Sequence, residues 1–276
     1  MKRTSTVNQP PPTVPEIHER RSVGRLLSAL DQFAERSPDF ISRSLGEFQS
    51  AGRTYSLPRY IYLGPKGGGD VIRIGVFAAI HGDEPEGALG LTRFVTELEK
   101  SPEIAKGYVL YFYPVCNPTG FEDNSRFSRS AKDLNREFWR NSTEPEVRWL
   151  ESEICLHAFD GIITLHSDDT SDGMYGFVSG DVLSENLLEP ALREGEQFLP
   201  RNQSDVIDGF AARRGIISDG YHGVLTALPG LSRRPFEITF ETPQRTPLHR
   251  QVEAFNAALK TILIEYRYLI AIGQNI

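Results

Sequence analysis

An apolar run, Ile72 to Ile80, ends abruptly on His81-Gly-Asp-Glu84 and passes into a helical pattern, with Ala88, Leu91, Phe94, Val95 and Leu98 on one face. A buried strand followed at once by an amphipathic helix is the building unit of an α/β fold, and few other architectures accommodate it. Pro85 suits the first helical turn, where a missing N–H costs nothing. His81 and Glu84 are three residues apart at this junction, a spacing at which imidazole and carboxylate can share one zinc ion. Taken alone, the same residues read first as a polar turn that caps the helix.

The unit repeats along the chain. Residues 22–36 form a helix on Val23, Leu26, Leu27, Leu30 and Phe33, and residues 41–50 and 53–63 form an antiparallel edge hairpin. The Gly-rich stretch 64–70 lacks the Lys-Ser/Thr ending of a phosphate loop and reads as a further hairpin turn. Strands over 72–80, 108–115, 161–165 and 236–240 alternate with helices over 86–99, 144–158, 183–197 and 246–267. A polar loop spans 116–140, and residues 199–230 are irregular. The pattern predicts a single α/β domain over residues 21–276, a mostly parallel, mixed, twisted sheet with helices on both faces. Residues 1–20, polar and Pro-rich, read as a disordered lead.

Composition narrows the function classes. The chain has 276 residues and a net charge of −7, and that acidic balance argues against a nucleic-acid or anionic-membrane partner. No segment approaches the apolar length of a membrane span, and the first residues lack a signal-peptide core, so a cytoplasmic enzyme is expected. Cys116 and Cys155 lie in strand and helix patterns and read as small core residues.

In a parallel sheet, ligands gather beyond the carboxyl ends of the strands. The chemically capable residues fall there: His81 and Glu84 after the first buried strand, Arg126, Asn135 and Arg136 after 108–115, His166 after Leu165, and Glu241 after Phe240. His157 competes with His166 but sits inside a helical pattern. Asp168, Asp169 and Asp172 resemble the start of a calcium loop, which fails at Ser179, where an acid is needed. They read as acids that either stand behind the site residues or order the loop. Glu237 and Glu241 share a strand face, and Glu241 is preferred because it stands at the carboxyl end.

Asn117-Pro-Thr-Gly120, Arg126 and Asp133-Leu-Asn135-Arg136, taken in order with His81-Gly-Asp-Glu84, His166 and Phe240-Glu241, resemble the zinc carboxypeptidase superfamily over roughly residues 60–265. That group holds the peptidases proper, murein-peptide amidases and the succinylglutamate desuccinylase and aspartoacylase branch. The resemblance implies one zinc ion held by His81, Glu84 and His166. It implies Arg126 at the oxyanion, Asn135 and Arg136 on a substrate carboxylate, Glu241 as general base and acid, and Tyr221 as the residue that closes over the substrate. The short stretch from Glu84 to Asn135 is closer to the amidase and deacylase branches than to digestive carboxypeptidases. The expected activity is hydrolysis of an amide next to a free carboxylate in a small peptide, with N-acyl amino acid deacylation as the alternative. A binding module that kept the pocket without catalysis is the reading from another class.

Overall fold

The computed structural model describes residues 21–273; the expectation for residues 1–20 therefore lies outside the described residues. In chain order the elements are α1 (Val23–Arg36), β1 (Phe40–Ser50), β2 (Arg53–Leu63), β3 (Ile72–Ala78), α2 (Glu86–Lys100), β4 (Tyr108–Tyr113), α3 (Pro118–Asp123), α4 (Pro145–His157), β5 (Gly161–Asp168) and β6 (Tyr175–Val178). Then come α5 (Asp181–Leu183), a π-helical turn (Ser184–Leu188), α6 (Glu189–Gly195), β7 (Val206–Ile207), β8 (Phe210–Arg213), β9 (Ile216–Ile217), β10 (Phe236–Pro243) and α7 (Leu248–Gly273).

The strands form one mixed sheet in the order β1-β2-β4-β3-β5-β10-β6-β9-β8-β7. Its centre, β4-β3-β5-β10, is parallel, while β2 joins β4 and β6 joins β10 antiparallel. Alternation along the strands sorts side chains onto two faces. Ile74, Val76, Leu110, Phe112, Ile163 and Phe240 pack on the side covered by α1, α2, α6 and α7. Phe77, Tyr113 and Ile162 pack against Val147, Leu150 and Ile154 of α4 on the other side. Each large apolar side chain buried this way contributes about 1.5–3 kcal/mol.

β3 leads through α2 to β4 on one side, and the chain then returns through α4 to β5 on the other. The order therefore reverses at β3 and β5, which opens a crevice at their carboxyl ends. Four expectations change in detail. Residues 64–70 are not a hairpin turn, because β4 lies between β2 and β3; the stretch crosses the end of β4, where Gly107 N donates to the Pro65 carbonyl at 2.7 Å. β3 stops at Ala78, since Ala79 takes a left-handed φ of 48°. β5 and β10 run on to Asp168 and Pro243, so His166 and Glu241 lie inside strands rather than after them. Cys116 is buried, but Cys155 is exposed, because α4 turns Val147, Leu150 and Ile154 inward and leaves position 155 on its outer side.

Candidate metal centre and substrate cavity

The turn after β3 carries two of the predicted ligands. Gly82 is needed there because a Cβ would collide with the backbone of Gly120 and Phe121. That neighbouring turn is held by Asn117, whose side chain accepts from Gly120 N at 2.9 Å and caps α3 ahead of Pro118. The Asn117-Pro-Thr-Gly120 motif thus shapes the shelf beneath His81.

His81, Glu84 and His166 are all buried, and their ligand atoms lie within 4.8 Å of one another. The Nδ1 atoms of both rings turn onto one carboxylate: His81 Nδ1 is 2.6 Å from Glu84 Oε1 and His166 Nδ1 is 2.9 Å from Glu84 Oε2. Burial opposes charge on Glu84, yet His81 and His166 hold its carboxyl well below the usual range. Two imidazoles and one carboxylate at a cavity wall are the donor set and number that suit a zinc ion with an open position. His157 is no part of this cluster. It stacks on Tyr111 with ring centroids 4.2 Å apart and lies 3.3 Å from Glu153 on the α4 side of the sheet.

Arg126 faces the cluster, with Nη1 3.3 Å from His81 Nδ1 and 3.7 Å from Glu84 Oε1. Asp133 holds it there, accepting from Arg126 Nε at 3.1 Å. The same carboxylate accepts from Asn135 N at 3.0 Å and lies 3.4 Å from His81 Nε2, too poorly aligned for a hydrogen bond. Burial opposes its charge, but His81 and Arg126 hold Asp133 well below the usual carboxylate range. Sequence reasoning passed over Asp133; the available signal was its place at the head of Asp-Leu-Asn-Arg.

The cluster opens into a cavity of about 710 Å³ that is lined by every predicted site residue: His81, Glu84, Arg126, Asn135, Arg136, His166, Tyr221 and Glu241. Its floor is the face of β5, β10 and β6 that α4 leaves uncovered. Glu241 pairs in register with His166, Thr239 with Thr164, and Glu237 with Ile162. Burial, with Glu84, Asp168 and Asp208 nearby, raises the Glu241 carboxyl well above its ordinary value, and no hydrogen bond to its side chain is present among the described residues. Asp168 orders its loop as expected, accepting from Thr170 N at 2.7 Å and the Tyr175 hydroxyl at 2.9 Å.

The irregular 199–230 region contains the short strands β7, β8 and β9 and supplies the opposite wall. Residues 223–227 are tied down from several directions. Phe138 N donates to the Gly223 carbonyl at 3.0 Å, Leu225 N to Asn135 Oδ1 at 2.9 Å, Trp139 Nε1 to the Thr226 carbonyl at 3.1 Å, and Ala227 N to Glu237 Oε1 at 2.6 Å. Asn135 therefore spends its oxygen on the wall. Arg136 lies against the Tyr221 ring, 4.4 Å from its centroid, and Nη1 donates to the Asn135 carbonyl at 2.8 Å. The Tyr221 hydroxyl donates to the Asp208 carbonyl at 3.1 Å.

The parallel-centred sheet is that of carboxypeptidase-like folds, and the family-model match together with the solved structures below supports the zinc carboxypeptidase-like superfamily. The family model of the succinylglutamate desuccinylase/aspartoacylase catalytic domain matches residues 70–199. Among solved structures, a candidate metallopeptidase from Shewanella amazonensis SB2B is 26% identical with a TM-score of 0.74, over 87% of this chain and 92% of that one. A second candidate metallopeptidase, from Shewanella baltica OS155, is 24% identical with a TM-score of 0.74, over 88% and 91%. A metallo-carboxypeptidase from Burkholderia cenocepacia is 15% identical with a TM-score of 0.67, over 89% of this chain and 68% of that one; it shares the fold. Comparison with curated proteins gives no match. No helix among the described residues is long and apolar enough to cross a membrane.

Proposed function

We propose that this chain is a zinc-dependent hydrolase of an amide bond next to a free carboxylate, a metallocarboxypeptidase or peptide amidase acting on small peptides. The observation that carries the reading is the placement of two arginines. Arg126 faces the His81-Glu84-His166 cluster, and Arg136 stands on the far wall beside Asn135 and Tyr221. When bound, zinc supplies a Lewis acid that polarises the amide carbonyl and brings the pKa of a water to about 7. Glu241, in register with His166, takes the proton of the attacking water and returns it to the leaving amine. Its high proton affinity in this acidic setting suits that exchange. Arg126 neutralises the developing oxyanion. Arg136 offers a planar fork to the substrate carboxylate, and Tyr221 lies over it.

The match to the desuccinylase and aspartoacylase catalytic domain favours a second reading, deacylation of an N-acyl amino acid. The charges of the cavity weigh against it for dicarboxylic substrates. Arg126 and Arg136 are the only Arg or Lys residues among the described cavity lining, and the acids Asp168, Asp208, Glu237 and Glu241 surround them. With one arginine at the oxyanion and one on a carboxylate, no cation is left for a second acid.

The test compares peptides with free and amidated C-termini, alongside N-acetylaspartate and N-succinylglutamate. Peptides with a free terminus are expected to turn over and their amides to be inert. Arg136→Lys keeps the charge but loses the fork, and kcat/KM on the free peptide should fall about 10- to 100-fold, in line with the loss of a charged hydrogen bond. Equal rates on free and amidated peptides would remove Arg136 from the carboxylate site. Turnover of the N-acyl dicarboxylic amino acids alone would favour the second reading.

A further inference from the structure

The cavity continues well past the reacting end. Along β10, Glu241, Thr239 and Glu237 point to one side, and their partners on β5 are His166, Thr164 and Ile162. Thr164 and Thr239 join across the floor, hydroxyl to hydroxyl, at 2.8 Å. Four residues of strand place Glu237 about 13 Å from Glu241 along the sheet. Ile162 pairs with Glu237, and Phe177, Val224 and Leu225 line the same cavity. Only a long side chain descending from the site reaches its far end.

What waits there is a carboxylate with half of its bonding used. Glu237 Oε1 accepts from Ala227 N, and no hydrogen bond to the second oxygen is present among the described residues. No Lys or Arg forms an ion pair with Glu237 among those residues, although the exposed Arg234 acts on it at longer range. Holding Ala227 N needs only a neutral acceptor, so the negative charge is surplus to the structural role. A carboxylate in a partly dry slot is best satisfied by a charged donor. The sequence prefers Glu241 because it stands at the carboxyl end of the strand; the structure puts Glu237 in the same cavity.

We propose that Glu237 is a specificity-determining residue, which selects substrates whose carboxylate-bearing residue has a long cationic side chain of the lysine or arginine type. This assignment rests on the proposed function for its orientation: Arg136 holds the carboxylate, and the side chain of the same residue runs down the slot. A lysine stem carries its charge past the threonine pair and along the apolar walls to the free oxygen of Glu237. A neutral chain of the same length fills the slot but leaves the charge unmet, and an acidic chain meets repulsion.

The experiment uses the zinc-loaded full chain and N-benzoyl-glycyl dipeptides that end in lysine, arginine, norleucine or glutamate. Norleucine has the lysine stem without its charge. The wild type is expected to prefer lysine over norleucine in kcat/KM by about 10- to 100-fold, the worth of one charged hydrogen bond. Glu237→Gln keeps an acceptor for Ala227 N, so its thermal midpoint should stay close to that of the wild type while the lysine-to-norleucine ratio collapses towards one. Equal use of lysine and norleucine by the wild type, or an unchanged ratio in E237Q, overturns the assignment while leaving the proposed function in place. If no dipeptide is cleaved, the proposed function fails, and calorimetric binding of free L-lysine against L-norleucine then decides the role of Glu237. A lysine preference that E237Q abolishes supports it, and equal binding of the two amino acids overturns it.

Discussion

Replacing Glu241 by Gln is expected to lower turnover by at least about 100-fold and by as much as about 10,000-fold, the range of general acid–base catalysis, with the zinc content unchanged. The substitution is nearly isosteric, so the packing of β10 between β5 and β6 should survive. Glu241 is not one of the three clustered ligand residues, and its side chain makes no hydrogen bond to the ring of His166 or to Glu84. Removing its charge therefore takes away the proton acceptor and little else. Arg136 and Tyr221 remain to hold the substrate, so KM should move far less than kcat. Steady-state kinetics and metal analysis on the same preparation provide the check. A Glu241→Gln enzyme that keeps most of its turnover would mean that the base lies elsewhere in the cavity. A variant that loses its zinc would make Glu241 a ligand instead.

His166→Ala should release the metal altogether. Loss of a partner behind a ligand lowers metal affinity about 10- to 100-fold, and loss of a ligand itself costs more. With His166 gone, Glu84 keeps His81, Arg126 at 3.7 Å and the backbone N–H of Ser167, which donates to Oε2 at 3.1 Å, but loses one of its two imidazoles. After dialysis the variant should contain close to no zinc, where the wild type is expected to hold about one per chain. The substitution also leaves a void and a less satisfied carboxylate in a buried place, so circular dichroism on the same sample must show a folded protein. A folded variant with undiminished zinc would place the metal elsewhere and undo the assignment of His81 and Glu84 along with it. His157 offers no fallback, being engaged with Tyr111 and Glu153 at the end of α4.

Much of this centre was legible in the sequence because it is local. His81 and Glu84 share one turn, Arg126 to Arg136 share one loop, and His166 and Glu241 follow apolar runs that stand out in the sequence, although their strands run on past them. The sheet edge that unites them follows from the alternation of strands and helices. The cavity wall was not legible, because nothing periodic holds it. Leu225 and Ala227 are set by hydrogen bonds to the side chains of Asn135 and Glu237, one of them 90 residues away in the chain. Long-range contacts of this kind leave no pattern in a single sequence. The same holds for the Gly-rich crossing after β2, which looks like a hairpin turn until β4 is known to insert between its strands. Glu237 illustrates the middle case. Its strand face was correctly read, but its value depended on how far the cavity extends along the sheet face that α4 leaves uncovered.

The in-register pairing of Glu241 with His166 sets the enzyme's behaviour on heating. Both residues belong to neighbouring strands of the parallel centre of the sheet, which has further strands on either side. Separating them requires the ladder itself to open, and such openings cost nearly as much as global unfolding. A site assembled from loops would loosen first and lose activity well below the melting temperature. Here the pairing of the proton acceptor with the imidazole of His166 should last until the sheet itself opens, so any activity lost below the melting temperature traces to the loop residues Arg126, Arg136 and Tyr221.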